Sequence, residues 1–241
     1  MCTVSYIRRN SKTFITSNRD EHIARPSALE PKEEVINGVR VIFPKDPQAG
    51  GSWFAFNENG LVVVLLNGAF ENHKRKLPYE KSRGVLLLEV VSHEQPQELL
   101  FQMDLTKIEP FTIVVNQGNV LFEFRWDGEG KHHKMLDANA DYIWSSSTLY
   151  DKQARAKRAT LFQSFINSGS ELEGKSILDF HSSNQQDYEN GFIIDRETGL
   201  KTFSVTQVIS SQLGTHMKHL DLRNQKEFNA RFINENLTTA L

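Results

Sequence analysis

The chain has 241 residues, 28 Lys plus Arg against 30 Asp plus Glu, a net charge of -2 and a single cysteine. The near-neutral balance excludes the phosphate-neutralising surface of a nucleic-acid binder, and one cysteine excludes an internal disulfide and a multi-cysteine zinc site. Apolar runs no longer than Leu61–Leu66 exclude a helical membrane span, which needs ~20 residues.

The length suits one domain over residues 1–241, and residues 1–17 lack the basic stretch and apolar core of an export signal, which predicts a cytoplasmic protein. Thr3–Arg8 and Thr13–Ser17 alternate polar with apolar residues around Arg9-Asn10-Ser11, the pattern of a β-hairpin. A second hairpin joins Ser52–Phe56 to Leu61–Leu66 across a loop ending in Gly60. Leu61–Leu66 is apolar on both faces, which predicts a strand covered from both sides. Tyr79–Ser92 and Gln95–Asp104 have helical composition, with Pro96 where a first turn tolerates it. Phe111–Val115 and Val120–Trp126 form another hairpin, followed by a short strand at Tyr142–Ser145. Asp151–Asn167 reads as a long helix with Ala154, Arg158, Leu161 and Phe165 on one stripe and Arg155, Ala159, Phe162 and Ile166 on the next. A helix at Glu171–Phe180 and strands at Gly191–Asp195, Thr202–Ile209 and Met217–Leu222 complete the count. Grouped strands and helices predict α+β layers rather than a doubly wound parallel sheet.

Cys2 has an option no other residue has. Removal of Met1 would put a thiol and a free α-amine on one residue, with reference pKa values of about 8.5 and about 7.7–8.0, so the proton moves between them for ~1 kcal/mol. If Asn10 is the middle of a three-residue loop, Cys2 stands opposite Asn18, and a two-residue loop shifts this by one. Either register returns Arg19 and Asp20 to within side-chain reach of residue 2, where a guanidinium lowers a thiol pKa and a carboxylate orients an ammonium group. The plainer reading is a surface Arg-Asp pair at a strand end. Arg155 and Arg158 both point towards a layer interface, where they need an anionic partner, a wet pocket or a snorkelling path to solvent; Asp20, Glu21 and a substrate carboxylate are candidates. His132-His133 lie near a hairpin tip and read as a solvated loop, as does the basic cluster His73–Lys76. His216 and His219 fit a strand at least as well as a helix, so no metal site is assigned, and Gly50-Gly51 precedes a strand rather than a phosphate-binding helix.

Ser17-Asn18-Arg19-Asp20-Glu21 followed by Ala24-Arg25-Pro26-Ser27 resembles the NRDE signature of the transport and Golgi organisation protein 2 family. The block Gly50-Gly51-Ser52-Trp53-Phe54-Ala55, running through Asn59-Gly60 to Leu65-Leu66-Asn67, resembles a second segment of that family. The resemblance implies a four-layer αββα sandwich of the N-terminal nucleophile hydrolase type, similar to the bile-salt hydrolase and penicillin V acylase branch. It implies Cys2 as nucleophile, Arg19 and Asp20 as the pair beside it, and Asn67 as an oxyanion donor, although Asn67-Gly68 is also an ordinary turn dipeptide. Ser147 stands where the family usually has a second oxyanion Asn, and Arg155 matches an arginine near the nucleophile. Asn18, Ser147 and Arg158 complete the candidates as substrate contacts. The expected activity is hydrolysis of a non-peptide amide through a thioester, with no cofactor and a small amide or acyl substrate. The rival is a haem- or lipid-handling protein using the same pocket.

Overall fold

The computed structural model describes residues 3–76, 78–169 and 171–234. The chain opens with β1 (Thr3–Arg9), β2 (Lys12–His22), β3 (Leu29–Ile36), β4 (Val39–Lys45), β5 (Phe54–Asn57) and β6 (Val62–Asn67). Helices α1 (Arg83–Val91) and α2 (Pro96–Gln102) lead into β7 (Phe111–Gln117), β8 (Val120–Trp126), β9 (Lys131–Met135) and β10 (Tyr142–Ser145). A second pair, α3 (Lys152–Ile166) and α4 (Gly174–His181), precedes β11 (Leu200–Ser211), β12 (Gly214–Asp221) and β13 (Lys226–Ile233). Among the described residues, no helix is long and apolar enough to cross a membrane.

The strands form two antiparallel sheets, one in the order β10-β1-β2-β11-β12-β13 and the other a meander from β3 to β9. Strand β6 explains how they stack. Its Val63 and Leu65 pack with Leu86, Leu87 and Leu100 of α1 and α2, while Val62, Val64 and Leu66 pack with Val4, Tyr6 and Ile15 of the other sheet. On the far side, Ile7 and Phe14 meet Phe162 of α3 and Ile177 and Phe180 of α4. The result is the four-layer αββα sandwich, and β6 is apolar on both faces because both are covered. Each of these buried side chains contributes roughly 2 kcal/mol as an upper bound on transfer.

Several expectations need correction. Of the two registers open for the first hairpin, the two-residue loop is the one formed, with Asn10 and Ser11 both at positive φ, so paired residues sum to 21 and Thr3 stands opposite Asn18. Cys2 itself lies outside the described residues. Residues 79–82 precede α1 as loop, because the Ser82 hydroxyl accepts from the Val85 N–H and starts the helix there. Gly191–Asp195 is not a strand, since the Gly191 N–H turns back to the Asp187 carbonyl and only Asp195 forms a bridge. His132 and His133 lie on edge strand β9 rather than in a loop.

Candidate active site

Strand β2 sorts its side chains by alternation. Asn18 and Asp20 face the α3 and α4 layer, and Arg19 faces Trp53, the residue before β5. Arg19 is only 2% exposed. Its Nη2 donates to Asp46 Oδ2 at 2.9 Å, its guanidinium carbon lies 4.9 Å from the Trp53 ring, and its Nη1 is buried with no hydrogen-bond partner among the described residues. Asp46 also accepts from Arg25 at 2.7 Å and from the Gln48 and Ala49 N–H groups. Burial alone would raise the Asp46 carboxyl, but the Ala49 N–H and the two guanidiniums outweigh it and hold the group below the ordinary carboxylate range.

These residues border a cavity of about 380 Å³ whose wall also includes Asn67 and Arg83. One side is the first turn of α1, brought against the loop before β5 by two glycines. A Cβ on Gly51 would lie 2.2 Å from the Gly84 carbonyl carbon, and one on Gly84 would lie 2.8 Å from the Ser52 carbonyl oxygen. Any side chain at either position would push α1 off the cavity. Burial pushes the Arg83 guanidinium below its ordinary pKa, and Glu109 at 3.1 Å opposes the shift.

Asn67 ends β6, and the segment after it is held by an unusual set of bonds. Five successive carbonyls each accept from a side chain on another element. Ser146 Oγ bonds the Asn67 oxygen at 2.8 Å, Thr112 Oγ1 the Gly68 oxygen at 2.9 Å and Arg125 Nη1 the Ala69 oxygen at 2.7 Å. Arg155 Nη1 bonds the Phe70 oxygen at 2.9 Å and Ser147 Oγ the Glu71 oxygen at 3.1 Å. The strap fixes the backbone from which Asn67 projects. Ser147 and Arg155 are thus spent on residues 70 and 71 and are not on the wall of the Arg19 cavity.

The remaining candidates form a separate buried network on the other face of β2. Asp20 accepts from the Tyr150 and Thr202 hydroxyls, each at 2.5 Å. Arg158, fully buried, stacks 3.5 Å from the Tyr150 ring and donates to Thr3 Oγ1 and the Asn190 and Gly191 carbonyls. Neutral acceptors and an aromatic face, rather than Asp20 or Glu21 directly, therefore hold Arg158. Asn18 donates to the His181 and Phe192 carbonyls, at 2.8 and 3.0 Å, and accepts from His181 Nδ1, so its amide is fully engaged. His181 Nε2 in turn accepts from Ser5 Oγ at 2.7 Å, which fixes the neutral Nδ1–H tautomer. Burial first, and the Arg158 charge second, push the His181 pKa down to about 3.

The structure thus gathers Arg19 and Asn67 at one cavity, places Asn18, Asp20 and Arg158 behind β2, and places Ser147 and Arg155 on the strap. Sequence reasoning assigned no role to Asp46 or Glu109. For Asp46 the signal was present, because Asp46-Pro47-Gln48-Ala49-Gly50 is an Asx-turn pattern; for Glu109 there was none.

Residues 1–238 match the family described as Transport and Golgi organisation 2. Among solved structures, the chain is similar to penicillin V acylase from Agrobacterium tumefaciens, with a TM-score of 0.55 and 7% identity over 96% of this chain and 86% of that one. It is also similar to the Caenorhabditis elegans ortholog of N-acylethanolamine-hydrolyzing acid amidase, with a TM-score of 0.52 and 12% identity over 86% of this chain and 92% of that one. A curated relative, DNA-directed RNA polymerase III subunit RPC3 of Debaryomyces hansenii, is 25% identical over 178 residues, and the chain spans 28% of that relative's length. At such identities the two solved structures speak to fold alone, and the fold they share with this chain is that of the N-terminal nucleophile hydrolases. With nearly its whole length matched, the chain belongs to the Transport and Golgi organisation 2 family.

Proposed function

We propose that the protein is an N-terminal cysteine hydrolase that cleaves a small non-peptide amide. The supporting observation is the Arg19 guanidinium, buried on the strand position next to Asn18 with an Nη1 that has no hydrogen-bond partner among the described residues. Asn18 pairs with Thr3, the residue that follows Cys2 in the chain. A buried cation with a spare donor favours the thiolate. Asp20, fixed by two hydroxyl donors, is the anion suited to orient the α-amino group.

The reaction runs in two acyl transfers. The Cys2 thiolate attacks the amide carbonyl, and the Asn67 side chain with a backbone N–H holds the oxyanion. The α-ammonium group gives its proton to the leaving nitrogen as the C–N bond breaks, leaving a thioester. Water then adds with the α-amine as base, and the thiolate leaves the released acid. The strap supports this role for Asn67, because an oxyanion donor acts only if it is held in place beforehand. Asn67→Ala is expected to lower kcat by ~10²–10³-fold with the fold kept, as read by kinetics beside circular dichroism.

Two measurements test the nucleophile. Intact mass of the native-terminus protein is expected to show loss of Met1, and quantitative retention would remove the base. Iodoacetamide labelling is expected to give a Cys2 pKa below ~8.5 that rises in Arg19→Met. An ordinary pKa unchanged by the substitution would separate Arg19 from the thiol.

A further inference from the structure

The charged groups around the cavity are not evenly matched. Glu80 and Lys81 are occupied outside it, by Lys107 and by Glu89 at 2.7 Å. What remains is four guanidiniums, of Arg19, Arg25, Arg75 and Arg83, against three carboxylates, of Glu21, Asp46 and Glu109. The carboxylates have little acceptor capacity left. Asp46 takes four hydrogen bonds. Glu109 faces His73 at 3.3 Å, Arg75 at 3.4 Å and Arg83 at 3.1 Å. Glu21 lies 3.6 Å from Arg19 and 3.5 Å from Arg25 and accepts from the His22 N–H.

Donors, in contrast, are left over. Each guanidinium has five N–H groups and no acceptor. Among the described residues the Trp53 indole N–H has no hydrogen-bond partner, and Arg25 Nε has none nearer than the Glu21 carboxylate at 3.5 Å. Four guanidiniums on the lining carry more N–H donors than three carboxylates accept, so the wall is organised for a group that supplies acceptors. Apolar side chains are few there, with Trp53 and Leu65 the large ones. A volume of about 380 Å³ also lies near the small end of the ~300–1,000 Å³ usual for ligand pockets.

We infer that the cavity takes a small polar substrate carrying a carboxylate, whose single negative charge completes the neutralisation of the four arginines. The inference rests on the hydrolase reading for the word substrate; the anion site itself does not. Arg25, at the mouth with a side chain 31% exposed, and Arg75, 66% exposed on the rim, receive the carboxylate from solvent. Arg83 lies deeper, at 15%. The bidentate geometry of guanidinium towards carboxylate gives the preference over a neutral amide of equal size.

The test uses the full-length, native-terminus protein and two matched pairs of probes. N-acetylglycine and succinamate carry a carboxylate on either side of an amide, and N-acetylglycinamide and succinamide are their neutral counterparts. Calorimetric titration at low ionic strength is expected to show at least one carboxylate binding ~10-fold or more tightly than its neutral partner, with the preference shrinking as salt is raised. Arg25→Gln is expected to reduce that preference at least ~5-fold, and Arg75→Gln, on the exposed rim, serves if the first variant is not folded. Equal affinity within each pair, or no binding by any probe, overturns the anion site. Carboxylate binding without turnover of any amide leaves the anion site standing and counts against the hydrolase; turnover of neutral amides without carboxylate preference does the reverse.

Discussion

Cys2→Ala, or a short extension that buries the α-amine in a peptide bond, is expected to abolish turnover of amide substrates while leaving the fold intact. Each change removes a different part of the chemistry. The first removes the sulfur that forms the thioester. The second keeps the sulfur but turns the only base on the residue into an amide that cannot exchange protons near neutral pH, and general acid–base catalysis alone is worth ~10²–10⁴. Stability is a separate matter, because among the described residues the three large apolar clusters are built between Val4 and Phe232, and each change alters a single position at the chain terminus. Thermal midpoints should therefore move by no more than about 2 °C. The same variants separate the hydrolase from a haem- or lipid-handling protein, whose ligand needs the pocket and not the amine. Its binding would weaken by less than ~1–2 kcal/mol. Activity that survives both changes would place the nucleophile elsewhere, and with one cysteine in the chain the whole assignment would fall.

The parts of the fold that sequence made visible are those with two-sided burial or a distinct cap. Strand β6 is one, since five adjacent apolar residues have no other use in a layered protein; α3 is another, with Asp151 capping its first turn at Ala154. Strands β3, β9 and β13 were not visible, and all three are sheet edges. Edge strands carry Lys and Glu on exposed positions, as in Leu29–Ile36 and Lys131–Met135, so the apolar alternation is diluted. Strand β4 is not an edge and was missed as well. Phe192 and Ile194 gave the opposite error, because a buried loop satisfies an alternating pattern as well as a strand does. In the site, the hairpin led to Arg19 and the NRDE resemblance led to Asn67. Helix phase failed for Arg155. It turns out to the Phe70 carbonyl, while Ala154, Arg158 and Phe162 at four-residue spacing form the buried stripe of α3. The strap was beyond sequence, since it joins five donors from four separate stretches of chain.

Acid is expected to destabilise the protein between pH 6.5 and 4.5, chiefly through two buried histidines. Burial pushes His181 down to about 3 and His219, bonded to Thr206 Oγ1 at 2.7 Å, down to about 4. In the unfolded chain both titrate near 6.5. Below that pH the unfolded state takes up two protons that the folded state does not, so stability falls as pH falls, by ~1.4 kcal/mol per unit for each of these histidines, and the part-buried His133, also lowered by desolvation, adds in the same direction. From pH 7.5 to 4.5 the loss is roughly 5 kcal/mol, a large share of the ~5–15 kcal/mol typical of a domain. Carboxylates whose folded pKa is depressed, such as Asp46, lose their contribution only as pH falls through and below about 4, so this window isolates the histidines. Urea unfolding at several pH values is expected to give a slope of ~2.7 kcal/mol per unit that halves in His181→Gln, whatever that variant's own stability. Should His181→Gln not fold, proton NMR of the parent protein decides the matter. A His181 ring that titrates near 6.5 in the folded state would mean that the Ser5-His181-Asn18 bridge does not exclude the proton, and the acid transition would need another cause.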